Sequence, residues 1–154
     1  MKVAIGQDSH KFDFENEKGK LVLGGITFDN APKLLGNSDA DAVLHAITNA
    51  ISGITCKNIL GNISDEMCKN GITDSEEYVK EALKYLNNKI VHISISIEAK
   101  IPKISPKIEE MRINIAKILN IAKNCVGITA TSGEGLTEFG RGNGINVFVV
   151  LTVE

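Results

Sequence analysis

The chain has 154 residues, 43% of them apolar and 23% charged, with a formal net charge of −2. That length suits one domain spanning residues 1–154, and it can bury a core that needs no disulfides. A near-neutral chain with no basic block, two Tyr and no Trp offers neither the charge nor the stacking platforms of a nucleic-acid binder.

In chain order, Val3 to Asp8 reads as a strand, and Lys20 to Leu23 and Ile26 to Phe28 read as short strands around Gly24-Gly25. Asn30 to Asn37 is a loop. Ser38 to Ile54 predicts a helix, capped by Ser38, with Asp39 and Asp41 in a first turn where the helix dipole favours anions. Ala40, Val43, Leu44, Ile47, Ala50, Ile51 and Ile54 form its apolar stripe. Residues 56–73 read as irregular, with room for one short helix. Asp74 or Ser75 caps a second helix running to about Asn87. Ile90 to Glu98 alternates and predicts a strand with one polar face. Ile104 to Leu119 predicts a third helix started by Pro106. Val126 to Thr131 and Ile145 to Val153 are two further strands. The last is apolar on both faces around Val147 to Leu151, which predicts burial on both. Strands alternating with helices predict a sheet layered with helices.

Cys56, Cys68 and Cys125 are odd in number and form no C-x-x-C pair, so a disulfide framework and a cysteine zinc site are both disfavoured. A reduced, cytoplasmic location is the simplest expectation. The opening MKVAIGQDSH has too short an apolar run for a signal peptide, and no stretch approaches the roughly 20 apolar residues of a membrane span.

Four features carry chemistry. Asp8-x-His10 ends the first strand, and period two puts both side chains on one face. An exposed Asp and His near a turn is the alternative. On the helix, Asp41, His45, Thr48, Asn49 and Ser52 lie opposite the apolar stripe, and no Lys, Arg or Glu occurs from Ser38 to Thr55. A solvated face usually carries long charged side chains, so this one points to a site or a subunit contact. A carboxylate and two imidazoles, Asp8, His10 and His45, make three ligands with room for a fourth, the pattern of a catalytic zinc. Thr131 to Gly144 places five glycines among hydroxyls, Glu134, Glu138 and Arg141. Such a loop can cradle an anion with its amides, or it can be a plain hairpin loop. Ala99 to Pro106 is a stiff strand-to-helix connection carrying Lys100 and Lys103, either a pocket wall or a solvated loop.

Taken in order, Asp-x-His, Asn-Ser-Asp-x-Asp-x-x-x-His, Pro-Lys, and Thr-Ser-x-Glu with Gly-Arg-Gly-x-Gly resemble 2-C-methyl-D-erythritol 2,4-cyclodiphosphate synthase. The likeness runs from Ile5 to the last strand. It implies an α+β catalytic domain: a mixed sheet of about four main strands, helices on one face, packed as a homotrimer with sites between subunits. It implies conversion of 4-diphosphocytidyl-2-C-methyl-D-erythritol 2-phosphate to the 2,4-cyclodiphosphate and CMP, in the non-mevalonate isoprenoid pathway. Zn²⁺ would sit on Asp8, His10 and His45, and Mg²⁺ or Mn²⁺ bridging the phosphates would take Glu134. Asn37, Ser132 and Glu134 fall at catalytic positions. Substrate contacts fall on Asp8, Ser9, His10, Asn37, Ser38, Gly61, Asp65, Ala99, Lys100, Pro102, Lys103, Ile104, Ser105, Thr131, Ser132, Gly133, Glu134, Glu138 and Arg141. Ala99 to Ser105 would line the cytosine pocket from the neighbouring chain. The chain departs from the common pattern at Asn37 (usually His), Asn49 (usually Asp), Ile59-Leu60-Gly61 (usually Asp-x-Gly) and Phe148 (usually Glu). Asn49 is expected to orient a metal-bound histidine. The rival readings are a non-catalytic binder of a nucleotide or isoprenoid diphosphate, and a zinc phosphoesterase.

Overall fold

The computed structural model describes every residue from Met1 to Glu154. Its main sheet has the order β1 (Lys2–Lys11), β6 (Gly144–Val153), β4 (Ile90–Glu98), β5 (Val126–Thr131). β6 runs antiparallel to both β1 and β4, and β5 runs parallel to β4. A parallel pair needs a crossover, and α4 (Ile108–Leu119) supplies it. β2 (Leu21–Leu23) and β3 (Ile26–Phe28) form a separate hairpin. Three further helices, α1 (Ala42–Thr55), α2 (Asn62–Lys69) and α3 (Ser75–Leu83), lie between β3 and β4 in the chain. None is long and apolar enough to cross a membrane.

Period two divides the sheet's residues. Ile93, Ile95 and Ile97 of β4 and Val147, Val149 and Leu151 of β6 are fully buried in the core beneath the helices. Their neighbours face the other way: Ser94, Ser96 and the large apolar side chains Val3, Ile5, Phe148 and Val150 are exposed. The expectation that β6 is buried on both faces is therefore corrected, since one of its faces is open. Helices cover one side of the mixed four-stranded sheet.

The position of α1 follows from two details. Gly6 in β1 lies under the helix, and a Cβ there would stand 2.0 Å from the carbonyl oxygen of Ala46. Only a glycine lets the strand and helix backbones approach so closely. At the helix start, the Asp41 side chain accepts from Leu44 N at 3.0 Å, from Gly24 N at 2.9 Å and from Gly25 N at 2.7 Å. One buried carboxylate thus caps α1 and anchors the β2–β3 turn to it.

Several boundaries move from the sequence expectation. The cap of α1 is Asp41, not Ser38, because Ala40 takes a left-handed turn (φ 55°) and Ser38 Oγ accepts the Ala40 amide instead. α3 stops at Leu83 rather than near Asn87; Lys84, Tyr85 and Leu86 each bond the carbonyl three residues back, a tighter turn that ends the α-helix. Ser105–Lys107 is a 3₁₀ turn, and α4 begins only at Ile108.

Candidate metal centre and adjoining pocket

Strand β1 carries Asp8 and His10 on the face turned toward α1, and α1 carries His45 one turn in from its cap. The three meet. His10 Nε2 lies 2.7 Å from Asp8 Oδ2, His45 Nδ1 lies 3.2 Å from the same oxygen, and the two nitrogens are 3.4 Å apart. His45 is buried and the other two are half-buried. Asp8 Oδ2 is shielded from solvent and has no well-directed hydrogen bond. A buried carboxylate oxygen with two imidazole nitrogens converging on it fits a cation at their common point, with the donors and number of a catalytic metal site.

Charge in the group is mutually supporting. Burial raises the Asp8 carboxyl, but the polar contacts and charges of His10 and His45 outweigh it and hold it below its ordinary value. The contact with Asp8 raises His10 above its ordinary value, against a partial burial that lowers it. His10 Nδ1–H donates to the Leu35 carbonyl at 2.8 Å, so once the imidazole is neutral its lone pair is on Nε2, the nitrogen beside Asp8.

Beside these residues opens a cavity of about 130 Å³, lined by His10, Gly36, Asn37, Ser38, His45, Leu60, Ser64, Asp65, Cys68 and Tyr78. Asn37, Ser38 and Asp65 are thereby brought to the metal group. A second cleft of about 270 Å³ runs along the end of β1, where Ser9, His10 and Lys11 face Glu138, Phe139, Asn143 and Gly144. Gly61 lies at the start of α2 with φ 121°, outside both cavities.

Glu138 faces Ser9 and His10 across the second cleft and brings its partner Arg141 there, whereas Thr131 and the 99–105 connection lie at the same end of the sheet but on its far edge. Thr131 ends β5 and pairs with Glu98, which pairs with Asn146, which pairs with Ser9. Three strand spacings, roughly 14 Å, thus separate Thr131 from β1. Ala99 N bonds Thr131 O at 3.0 Å, so the 99–105 connection sits beside that edge, with Lys100, Lys103 and Ser105 exposed and Ala99, Pro102 and Ile104 buried. Gly133 and Glu134 donate their amides to the hydroxyls of Thr131 and Ser132 within the loop, at 3.4 and 3.3 Å. Arg141 is paired with Glu138 at 2.5 Å, and Asn143 donates to the same carboxylate at 2.6 Å.

The model of the YgbB family matches residues 1–154. The chain belongs to the YgbB family. A 2-C-methyl-D-erythritol 2,4-cyclodiphosphate synthase of Chlamydia felis is 51% identical to it over 155 residues, covering 99% of this chain and 88% of that one. The protein of the same name from Chlamydia muridarum is 52% identical, covering 99% and 87%. Among solved structures, an IspF–CDP complex from Plasmodium falciparum superposes with a TM-score of 0.81 at 27% identity, over 99% of this chain and 94% of that one.

In this YgbB-family chain the expectation for Asn49 is corrected. Its side chain donates to the Gln7 carbonyl at 3.0 Å and is not among the partners of His45. Nor is the side of α1 without Lys, Arg or Glu an open site throughout. Asp41, Thr48 and Ser52 on it are buried, and Thr48 returns its hydroxyl to Leu44 O at 2.8 Å. Short polar groups stand there because α1 packs against α3 as well as against the sheet. The groups that do hold the imidazoles, the Leu35 carbonyl and Ser75 with Asp39 behind it, were not anticipated, nor was the placing of Leu60, Cys68 and Tyr78 in the cavity. No spacing rule links positions 30 residues apart, so the sequence carried no signal for the Ser75–His45 contact.

Proposed function

We propose that this chain closes the 2,4-cyclic diphosphate its relatives are named for, releasing CMP from 4-diphosphocytidyl-2-C-methyl-D-erythritol 2-phosphate. The convergence of Asp8, His10 and His45 beside a polar cavity carries the reading. Those three residues would hold Zn²⁺, and Glu134, an exposed carboxylate in a loop of hydroxyls, would take Mg²⁺ or Mn²⁺ together with the substrate phosphates. Bound there, the cations supply Lewis-acid neutralisation of two phosphate groups that otherwise repel.

The chain's own residues do the rest. Asn37 and Ser38 offer donors to the phosphate nearest the metal group, and Asp65 accepts from erythritol hydroxyls across the cavity. Thr131, Ser132 and Gly133 bind the other phosphate, with Arg141 supplying charge. The segment Ala99 to Ser105 receives the cytosine. Holding the folded substrate makes the attack of one phosphate on the other effectively unimolecular, so no side-chain nucleophile is required.

The site is shared between copies of a homotrimer. Two observations support this. Thr131, where the hydroxyl loop begins, stands three strands from the strand carrying Asp8 and His10, roughly 14 Å, a wide span for one diphosphate within one chain. The open face of the sheet exposes Val3 and Ile5 at 60% and 67% and Phe148 and Val150 at 45% and 38%, a row of apolar side chains suited to burial against other copies. Chromatographic detection of CMP from the diphosphocytidyl substrate tests the proposal. CMP release that needs added divalent metal and stops with chelator is expected; no release under any metal would contradict it.

A further inference from the structure

Ser75 is fully buried at the first turn of α3, and its hydroxyl oxygen lies 2.8 Å from His45 Nε2. The same hydroxyl makes a very short contact with Asp39 Oδ1, and the Ser75 amide donates to Asp39 Oδ2 at 3.1 Å. Asp39 is fixed in turn: its carboxylate accepts from Asp41 N at 3.1 Å and its amide donates to Thr73 O at 2.9 Å.

The directions of these bonds follow from proton counting. An ionised carboxylate only accepts, so the single hydroxyl proton of Ser75 goes to Asp39. Ser75 Oγ must then accept from His45, whose Nε2 carries the proton. His45 is thereby the tautomer with its lone pair on Nδ1, the nitrogen 3.2 Å from Asp8 Oδ2. Ser38 Oγ stands 3.3 Å from the same Nε2, but it is the more distant hydroxyl and already accepts the Ala40 amide. The opposite tautomer would aim an N–H at the point where the three ligand atoms converge.

We propose that Ser75 is the positioning residue of the metal centre, relaying the negative charge of Asp39 to His45. The proposal rests on the reading of Asp8, His10 and His45 as metal ligands. His10 uses a backbone carbonyl for the same purpose, so Ser75 and Asp39 are the side chains through which substitution can tune the site. Groups in this position hold ring orientation and raise ligand basicity, and their loss commonly weakens metal binding about 10- to 100-fold.

The test is the zinc dissociation constant of chelator-stripped protein, read by competition with a chromogenic chelator. Ser75→Ala is expected to bind Zn²⁺ about 10- to 100-fold more weakly than wild type. Asp39→Asn, which keeps shape and removes charge, is expected to lose part of that factor. In metal-free protein, ¹⁵N shifts of the His45 ring should report a protonated Nε2 in wild type and a mixture of tautomers in Ser75→Ala. Circular dichroism checks that the variant is folded; if Ser75→Ala is not, Asp39→Asn decides the question in the same titration. Wild type that binds Zn²⁺ with both variants within twofold of it overturns the relay alone. Wild type that fails to bind Zn²⁺ overturns the ligand reading and the relay with it.

Discussion

His45 Nδ1 stands 3.2 Å from Asp8 Oδ2, although the first belongs to helix α1 and the second to strand β1. Gly6 makes that meeting possible, since any side chain there would run into the Ala46 carbonyl. Gly6→Ala should therefore push α1 off the strand. Overpacking of this kind costs about 1–3 kcal/mol or more. Chemical denaturation should read that loss, and metal analysis should find the variant depleted in zinc. A variant of normal stability with full metal content would show that the close approach is not needed.

Asp41 is the second clamp on the same helix. Asp41→Ala removes the N-cap bond to the Leu44 amide, worth about 1 kcal/mol, and leaves the Gly24 and Gly25 amides without their acceptor, at about 1–3 kcal/mol for each that stays buried. A loss of at least about 3 kcal/mol is expected in urea unfolding. A change below 1 kcal/mol would mean that water replaces the carboxylate at Gly24 and Gly25.

The Asp8–His10 pair gives the metal-free protein a pH signature. His10 is raised, so its contribution to stability is complete below about pH 6.5 and is lost as the pH climbs through its raised value. Asp8 is lowered, so its contribution holds above about pH 4 and disappears as the pH falls through its depressed value. Metal binding needs a neutral imidazole, so zinc affinity should rise with pH while His10 still carries its proton, by up to tenfold per unit. Melting curves with and without zinc should diverge over that window, with the metal's stabilisation growing as the pH rises. Zinc affinity flat from pH 6 to 8 would contradict the assignment of His10.

Sites shared between copies make a prediction that no single-chain site can match. His45→Ala, which lacks a proposed metal ligand, and Glu134→Gln, which lacks the loop carboxylate, should each be nearly inactive. The proposed trimer predicts that refolding the two together gives mixed assemblies, in which some sites draw both intact halves from different chains. Activity well above that of either parent is expected in the mixture. No recovery, with mixed trimers confirmed by native mass spectrometry, would place the whole site within one chain.

The strands of the sheet were legible because period two is written plainly into Ile93-Ser94-Ile95-Ser96-Ile97, and α1 because its apolar stripe is continuous. The convergence of Asp8, His10 and His45 was legible as three residue types in order, since strand period aligns Asp8 with His10 and the helix supplies His45. The short helix allowed within residues 56–73 is α2, but its bounds were not legible, because its apolar residues are few and its start is a glycine rather than a side-chain cap. The same was true of what surrounds the ligands. Ser75 reads locally as a helix start, and only the packing of α3 against α1 turns its hydroxyl toward His45. Phe148 and Val150 look like core in a list of residues, and they stand exposed because the helices cover only the opposite face.

The most direct measurement is ³¹P NMR of the purified protein with 4-diphosphocytidyl-2-C-methyl-D-erythritol 2-phosphate, Zn²⁺ and Mg²⁺. The substrate resonances should give way to CMP and to the paired signals of a cyclic diphosphate, and Asp8→Asn should abolish the change. A linear phosphate product, or an unchanged spectrum under every metal tried, would contradict the assignment as a cyclodiphosphate synthase.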